Sequence, residues 1–179
     1  MLLEEIRKLP QRVIDNLDGD IGNLKVYLVQ DYDLKFLKQM IKYGQDIFGD
    51  LGMDEWGLVP QIRHGNIFVL KEENNRKLIG FAILMRDWED TDRAYLFDYA
   101  ITEEMQGQGL GYHFLVSICR NLIEQDFKSL SLTVDVDNPS AIKLYQEKMG
   151  FEIAEHRKDE YGKGHDRYIM VLDLQKFKK

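Results

Sequence analysis

Between Asn66 and Ile101 three short apolar runs follow one another with only brief polar breaks: NIFVLKEE (66–73), LIGFAILMRDW (78–88) and RAYLFDYAI (93–101). Runs of this length, rich in β-branched and aromatic residues and bounded by turn-forming clusters, read as strands. Three in succession with short connections suggest an antiparallel meander. The next segment breaks that pattern. MQGQGLG (105–111) holds three glycines spaced by two. LGYHFLVSICRNLIEQDF (110–127) then places Leu110, Phe114, Leu115, Ile118, Leu122 and Ile123 on one helical face. Alternation returns in KSLSLTVDVDN (128–138), where Leu130, Leu132, Val134 and Val136 share one side. With no repeat, linker or low-complexity tract in 179 residues, one mixed α/β domain is the economical reading.

The flanks are read in the same way. Residues 1–22 form a helical or irregular extension, with Leu2, Leu3, Ile6 and Leu9 on one face, a kink at Pro10 and a stop at DGDIGN; residues 23–179 form the domain. LKVYLV (24–29) is a strand. Residues 31–49 are a helix capped by Asp31 or Asp33, with Leu34, Leu37, Ile41 and Phe48 inward. Residues 51–65 are a short helix within a loop. In DNPSAIKLYQEKMGF (137–151), Asn138 caps a helix whose first turn holds Pro139 and whose C-terminal cap is Gly150. FEIAEHRKDEY and DRYIMVLDL are two last strands around the hairpin loop GKGH.

Composition excludes several partner classes. A net charge of −7 without a lysine- and arginine-rich patch argues against a nucleic-acid partner. No run approaches transmembrane length, and the charged N-terminus is unlike a secretory leader. The single cysteine, Cys119, permits no internal disulfide, and a cytoplasmic location without a membrane partner is expected. Cys119 falls on the apolar side of its helix, so it reads as a packing residue and not as a nucleophile. The histidines at 64, 113, 156 and 165 lack metal-ligand spacing, and no metal is expected.

The glycines at 107, 109 and 111 leave two readings: a tight turn, or exposed amides that meet an anion at a helix N-terminus, where about half a positive charge gathers. The spacing is GxGxG, unlike the GxGxxG of a dinucleotide fold, and no GK[ST] follows as in a Walker motif. Tyr145, in the 137–151 block, reads alone as a core or boundary aromatic, or as a proton donor if its ring faces a cleft.

Together the two blocks resemble the GCN5-related N-acetyltransferase (GNAT) family. The family's coenzyme A segment, Gln/Arg-x-x-Gly-x-Gly/Ala, is similar to Gln106-Gly107-Gln108-Gly109-Leu110-Gly111. Its later segment is similar to Asn138, Ala141, Leu144, Tyr145, Gly150 and Phe151. The resemblance spans roughly residues 24–174 and is clearest from Tyr95 to Phe151. It implies a mixed, curved sheet of about six or seven strands with helices on both faces. It also implies a splayed central parallel pair, RAYLFDYAI and SLSLTVDV, with acetyl-CoA as cosubstrate in the opening. Ile101, Thr102 and Glu103 would pair with the pantetheine arm. The amides from Gln106 to Gly111, with Tyr112 beside them, would hold the pyrophosphate. Asn138 and Ser140 would meet the far pantetheine, and Tyr145 would stand near the sulfur.

The implied reaction is direct acetyl transfer to a primary amine, of a small molecule or of a peptide or protein. Tyr145 would protonate the leaving thiolate, and Asp98 is the candidate base. Asp98 interrupts an apolar strand, although a pair with Arg93 would also explain it. The glutamate that some family members carry on this strand falls at Tyr95, on the opposite face from Asp98. His64, Glu160 and a water chain stay open as bases. Residues 43–63, 86–92 and 157–165 are the candidate acceptor surfaces. A non-catalytic acetyl-CoA sensor and a dinucleotide-dependent oxidoreductase are the alternatives. Homodimers are common among the family's small members, so the resemblance leaves a homodimer open.

Overall fold

The computed structural model of the chain describes residues 11–17, 23–73 and 77–177. Its strands are β1 (Gln11–Leu17), β2 (Leu24–Val29), β3 (Asn66–Glu72), β4 (Leu78–Arg86), β5 (Arg93–Ile101), β6 (Ser129–Asp135), β7 (Glu152–Arg157) and β8 (Arg167–Asp173). They form one open mixed sheet in the order β1-β2-β3-β4-β5-β6-β8-β7. β5 and β6 run parallel, and the β1-β2, β2-β3, β3-β4, β6-β8 and β7-β8 pairs are antiparallel. The mixed α/β class expected from the sequence is the one found.

The N-terminal expectation is corrected at Gln11–Leu17, which is a strand and not helical or irregular. It pairs with β2 from Gln11↔Val29 to Leu17↔Leu24, with a register shift between Val13 and Asp15. The sheet therefore has eight strands, not six or seven. The physical cause is the free edge of β2, whose backbone donors and acceptors need partners. Val13 and Ile14 supply β-branched residues for that edge. The expected helical face at Leu2, Leu3, Ile6 and Leu9, the kink at Pro10 and most of the DGDIGN stop lie outside the described residues, as does part of the 73–77 turn.

The chain groups into two compact units. The first holds the described residues up to Leu84 together with Asp98–Leu110, and the second holds Met85–Phe97 and the described residues from Gly111 onward.

In the first unit, helix α1 (Leu34–Phe48) starts at Asp33, whose Oδ1 accepts from the Phe36 amide at 2.7 Å. Asp31 instead forms an ion pair with Arg63 at 2.8 Å. The buried face of α1 runs through Phe36, Leu37, Met40 and Gly44 and packs with Val29, Leu58, Ile67, Phe81 and Ile83. Leu34, expected inward, is 73% exposed. It lies two residues before Phe36, about 200° around the helix, and so falls outside that face. The 51–65 stretch is more regular than a loop with a short helix. A 3₁₀ turn (Gly49–Leu51) leads to the ten-residue helix α2 (Glu55–His64). Asp54 caps α2 by accepting from the Gly57 amide at 3.0 Å, and Leu58 and Ile62, four apart, are buried.

In the second unit, helix α3 (Leu110–Glu124) buries Phe114, Leu115, Ile118, Cys119 and Leu122. Leu130, Leu132 and Val134 of β6 and Met170 and Leu172 of β8 are buried as well. The parallel ladder joins Arg93–Leu96 to Ser129–Leu132 and stops there, although β5 runs on to Ile101 and β6 to Asp135. Helix α4 (Pro139–Ile142) starts at Asn138, whose Oδ1 accepts from the Ala141 amide at 3.0 Å. It continues as a π-helical stretch (Lys143–Met149) that ends at Gly150, φ 81°. Among the described residues no helix is long and apolar enough to cross a membrane.

Candidate functional site

The glycine loop has the backbone that anion binding requires. Gly107 and Gly109 have φ of 76° and 80°, a left-handed conformation that costs an L-residue roughly 1 kcal/mol or more. Among the described residues no protein acceptor meets the amides of Gly107, Gln108 or Gly109. The Gln106 amide differs: it donates to the Glu103 carbonyl at 3.1 Å, so it is not free for a ligand. The Gln106 side chain also turns inward, with Nε2 donating to the Ile101 carbonyl at 2.9 Å, and ties the loop to the end of β5.

The strand end is partly committed too. The Thr102 amide donates to the Ile79 carbonyl at 2.8 Å, and the Thr102 carbonyl accepts from the Met105 amide at 2.9 Å. Each carbonyl keeps a second lone pair, but the Thr102 N–H is spent. Tyr43 of α1 adds a brace. Its hydroxyl donates to the Ile79 carbonyl at 2.9 Å and accepts from the Thr102 hydroxyl at 3.3 Å. Burial pushes its phenol up to about 12.

Asp98 lines a narrow, mostly apolar cleft with Met40, Gly44, Phe48, Met53, Leu58, Phe81 and Ile83. Burial in this apolar setting raises the Asp98 carboxyl from 3.8 to about 6. The pair considered with Arg93 does not form, because Arg93 meets Asp90 at 3.0 Å. A carboxylate with that pKa is half-ionised near pH 6 and is a competent proton acceptor at neutral pH. Tyr95 instead bonds Thr133 at 3.0 Å, so the strand alternation expected between positions 95 and 98 corresponds to two different environments.

The remaining candidates belong to the second unit. Tyr145 is buried, with its ring 5.6 Å from that of Phe151, and no protein group among the described residues bonds its hydroxyl. Burial raises its pKa well above the ordinary phenol value. Giving a proton outright to a thiolate, whose ordinary pKa is about 8.5, is therefore uphill. Donating a hydrogen bond to that thiolate is not. Asn138 and Ser140 are exposed; the Asn138 oxygen is used as the cap, which leaves its amide NH₂ to donate. Tyr112 stacks edge-on with His113 at 5.2 Å.

Two features considered in the sequence are accounted for internally. The Gly164 amide of GKGH donates to Asp159 at 2.6 Å and the Asp159 amide to Asp166 at 2.9 Å, as in a self-bonded hairpin loop. Cys119 is fully buried and its thiol is pushed up to about 12, which suits a packing residue. Among the described residues no three His, Cys, Asp or Glu side chains are grouped to hold a metal ion. Sequence reasoning missed the apolar lining around Asp98. Its legible signal was Gly44, a glycine in the interior of an amphipathic helix.

Residues 34–151 match the model of the acetyltransferase (GNAT) family. The chain belongs to that family. It is 28% identical over 105 residues to an N-terminal acetyltransferase complex ARD1 subunit homolog of Dictyostelium discoideum, covering 58% of this chain and 52% of that protein. It is 25% identical over 111 residues to the N-alpha-acetyltransferase daf-31 of Caenorhabditis elegans, covering 60% and 61%. The matches thus span between half and two thirds of these curated relatives. Among solved structures, the ribosomal-protein-S18-alanine N-acetyltransferase from Escherichia coli is similar, with a TM-score of 0.67, 26% identity, and coverage of 83% of this chain and 94% of that one. A GNAT acetyltransferase from Elizabethkingia anophelis with acetyl-CoA bound shares the fold, with a TM-score of 0.63 at 16% identity, covering 84% and 97%.

Proposed function

We propose that this GNAT protein moves an acetyl group directly from acetyl-CoA to a primary amine, and that the acceptor is a peptide or protein amine. The observation that carries the reading is the set of unbonded amides at Gly107, Gln108 and Gly109 at the start of α3. Those three donors and the helix dipole suit the diphosphate of coenzyme A. In this reading the pantetheine arm pairs with the strand end at Ile101–Glu103. The relatives named as N-terminal and ribosomal-protein acetyltransferases favour a peptide or protein acceptor.

In the proposed chemistry the ammonium form of the amine gives its proton to the Asp98 carboxylate. The freed lone pair attacks the thioester carbonyl, and the C–N bond forms as charge moves to oxygen. Collapse breaks the C–S bond, and coenzyme A leaves as a thiolate stabilised by a hydrogen bond from Tyr145; the nitrogen's second proton passes to that thiolate or to water, which leaves the neutral amide. The test is to incubate the protein with acetyl-CoA and a panel of amines and peptides, and to follow thiol release and product mass together. One acetylated amine per thiol supports transfer. Acetyl-CoA binding without product across the panel would favour the sensor reading instead.

A further inference from the structure

We propose that Gly44 is a specificity-determining residue: its missing side chain keeps open the apolar cleft at Asp98, which selects amines whose adjoining substituent is uncharged and apolar. This rests on the acetyl-transfer reading above and names the substrate class of that site.

A glycine in the middle of α1 weakens the helix relative to alanine, so its presence needs a reason. Close packing is not that reason. A Cβ built on Gly44 meets no heavy atom within 4 Å, although the residue is buried. The tight approach of the 49–51 turn to this part of α1 constrains Gly52, whose Cβ would lie 2.8 Å from the Gln45 amide nitrogen. Alanine at 44 would therefore fit the protein and strengthen the helix. The space it would enter belongs to the cleft that Gly44 lines with Asp98.

The lining states what that space accepts. Met40, Phe48, Met53, Leu58, Phe81 and Ile83 offer no polar partner, and Asp98 is the charged residue among them. One carboxylate matches one ammonium group. A second cation on the acceptor would be desolvated against methionine and phenylalanine without a counter-charge. Leu51 and Trp56, near Met53 in sequence, are apolar and 90% and 82% exposed. The acceptor class is thus a monocationic amine next to a small aliphatic or thioether group, as at a peptide N-terminus with an apolar first residue. A polyamine does not fit.

The test compares wild type with Gly44→Ala on peptides differing only in the first side chain (alanine, methionine, lysine, aspartate) and on spermidine, with Tm and acetyl-CoA affinity measured in parallel. Expected are a wild-type preference for the apolar peptides and, in Gly44→Ala, a Tm higher by about 2–4 °C. The variant's kcat/KM on the best apolar peptide should fall about tenfold or more, with acetyl-CoA affinity unchanged. An unchanged kcat/KM in Gly44→Ala, or a wild-type preference for spermidine or the lysine peptide, overturns the cleft assignment while leaving acetyl transfer intact. If wild type binds acetyl-CoA but acetylates no peptide or amine, both the transfer reading and this proposal fall.

Discussion

Replacing Asp98 with asparagine should make the protein more stable and far less active. The carboxyl is held at about 6 by burial, against 3.8 in the unfolded chain. Below pH 3.8 both states are protonated and the group has no effect on stability. Between pH 3.8 and 6 the unfolded chain ionises while the folded one resists, so stability falls as pH rises. Above pH 6 both are ionised and the loss is constant. At about 1.4 kcal/mol per pH unit the full penalty is about 3 kcal/mol. Asp98 keeps part of its surface in solvent, and screening reduces this to roughly 1–2 kcal/mol. Asparagine is neutral at every pH and escapes the penalty. At pH 8 Asp98→Asn should melt roughly 2–8 °C above wild type, and at pH 4 the two should nearly coincide. Activity moves the other way. Loss of a general base typically costs 10²–10⁴-fold, so kcat/KM should fall by about that much. The wild-type limb of kcat/KM that rises with a midpoint near pH 6 should vanish. Thermal melts at pH 4, 6 and 8 and initial rates across pH 5–9 supply both readouts. A variant that keeps its rate and the limb removes Asp98 as base. A Tm difference independent of pH refutes the burial argument.

Three further outcomes follow from other parts of the structure. Tyr145→Phe removes a hydroxyl without a protein partner among the described residues, so Tm should stay within about 1 °C. If that hydroxyl stabilises the thiolate, kcat should fall about 10–100-fold, the worth of a hydrogen bond to a charged group, with little change in KM. Asp33→Ala removes the cap of α1 and should lower stability by about 1 kcal/mol, seen as a Tm lower by about 2–4 °C, with acetyl-CoA affinity retained. Gly109→Ala places a Cβ on a residue with φ 80° and should weaken acetyl-CoA binding measurably while leaving an amphipathic α3 folded.

The legible parts of the fold were those where local pattern and tertiary environment agree. The 66–101 meander, the stripe of α3 and the cap at Asn138 all rest on periodicity or turn chemistry that packing then reinforces. β1 was not legible, because the exposed edge of β2 and not its own pattern draws Gln11–Leu17 into the sheet. Leu34 misled for a related reason: apolar identity does not fix which 100° step of a helix meets the core. In the candidate site the glycine loop was readable because the positive φ at 107 and 109 favours glycine. Asp98 was visible as a charge inside an apolar strand, but the cleft around it is built by residues from 40 to 98 that only the fold brings together. The committed Gln106 and Thr102 amides were invisible for the same reason, since their acceptors at Glu103 and Ile79 are set by backbone geometry.

The grip of the 107–109 amides on the coenzyme diphosphate is tested most directly by titration calorimetry of acetyl-CoA against acetyl-pantetheine, which lacks that group. Saturable heat is expected with acetyl-CoA, together with an affinity for acetyl-pantetheine weaker by about a hundredfold or more, the loss of two or more charge-assisted hydrogen bonds. Equal affinity for the two thioesters, or no heat and no displaceable binding with acetyl-CoA, would contradict it.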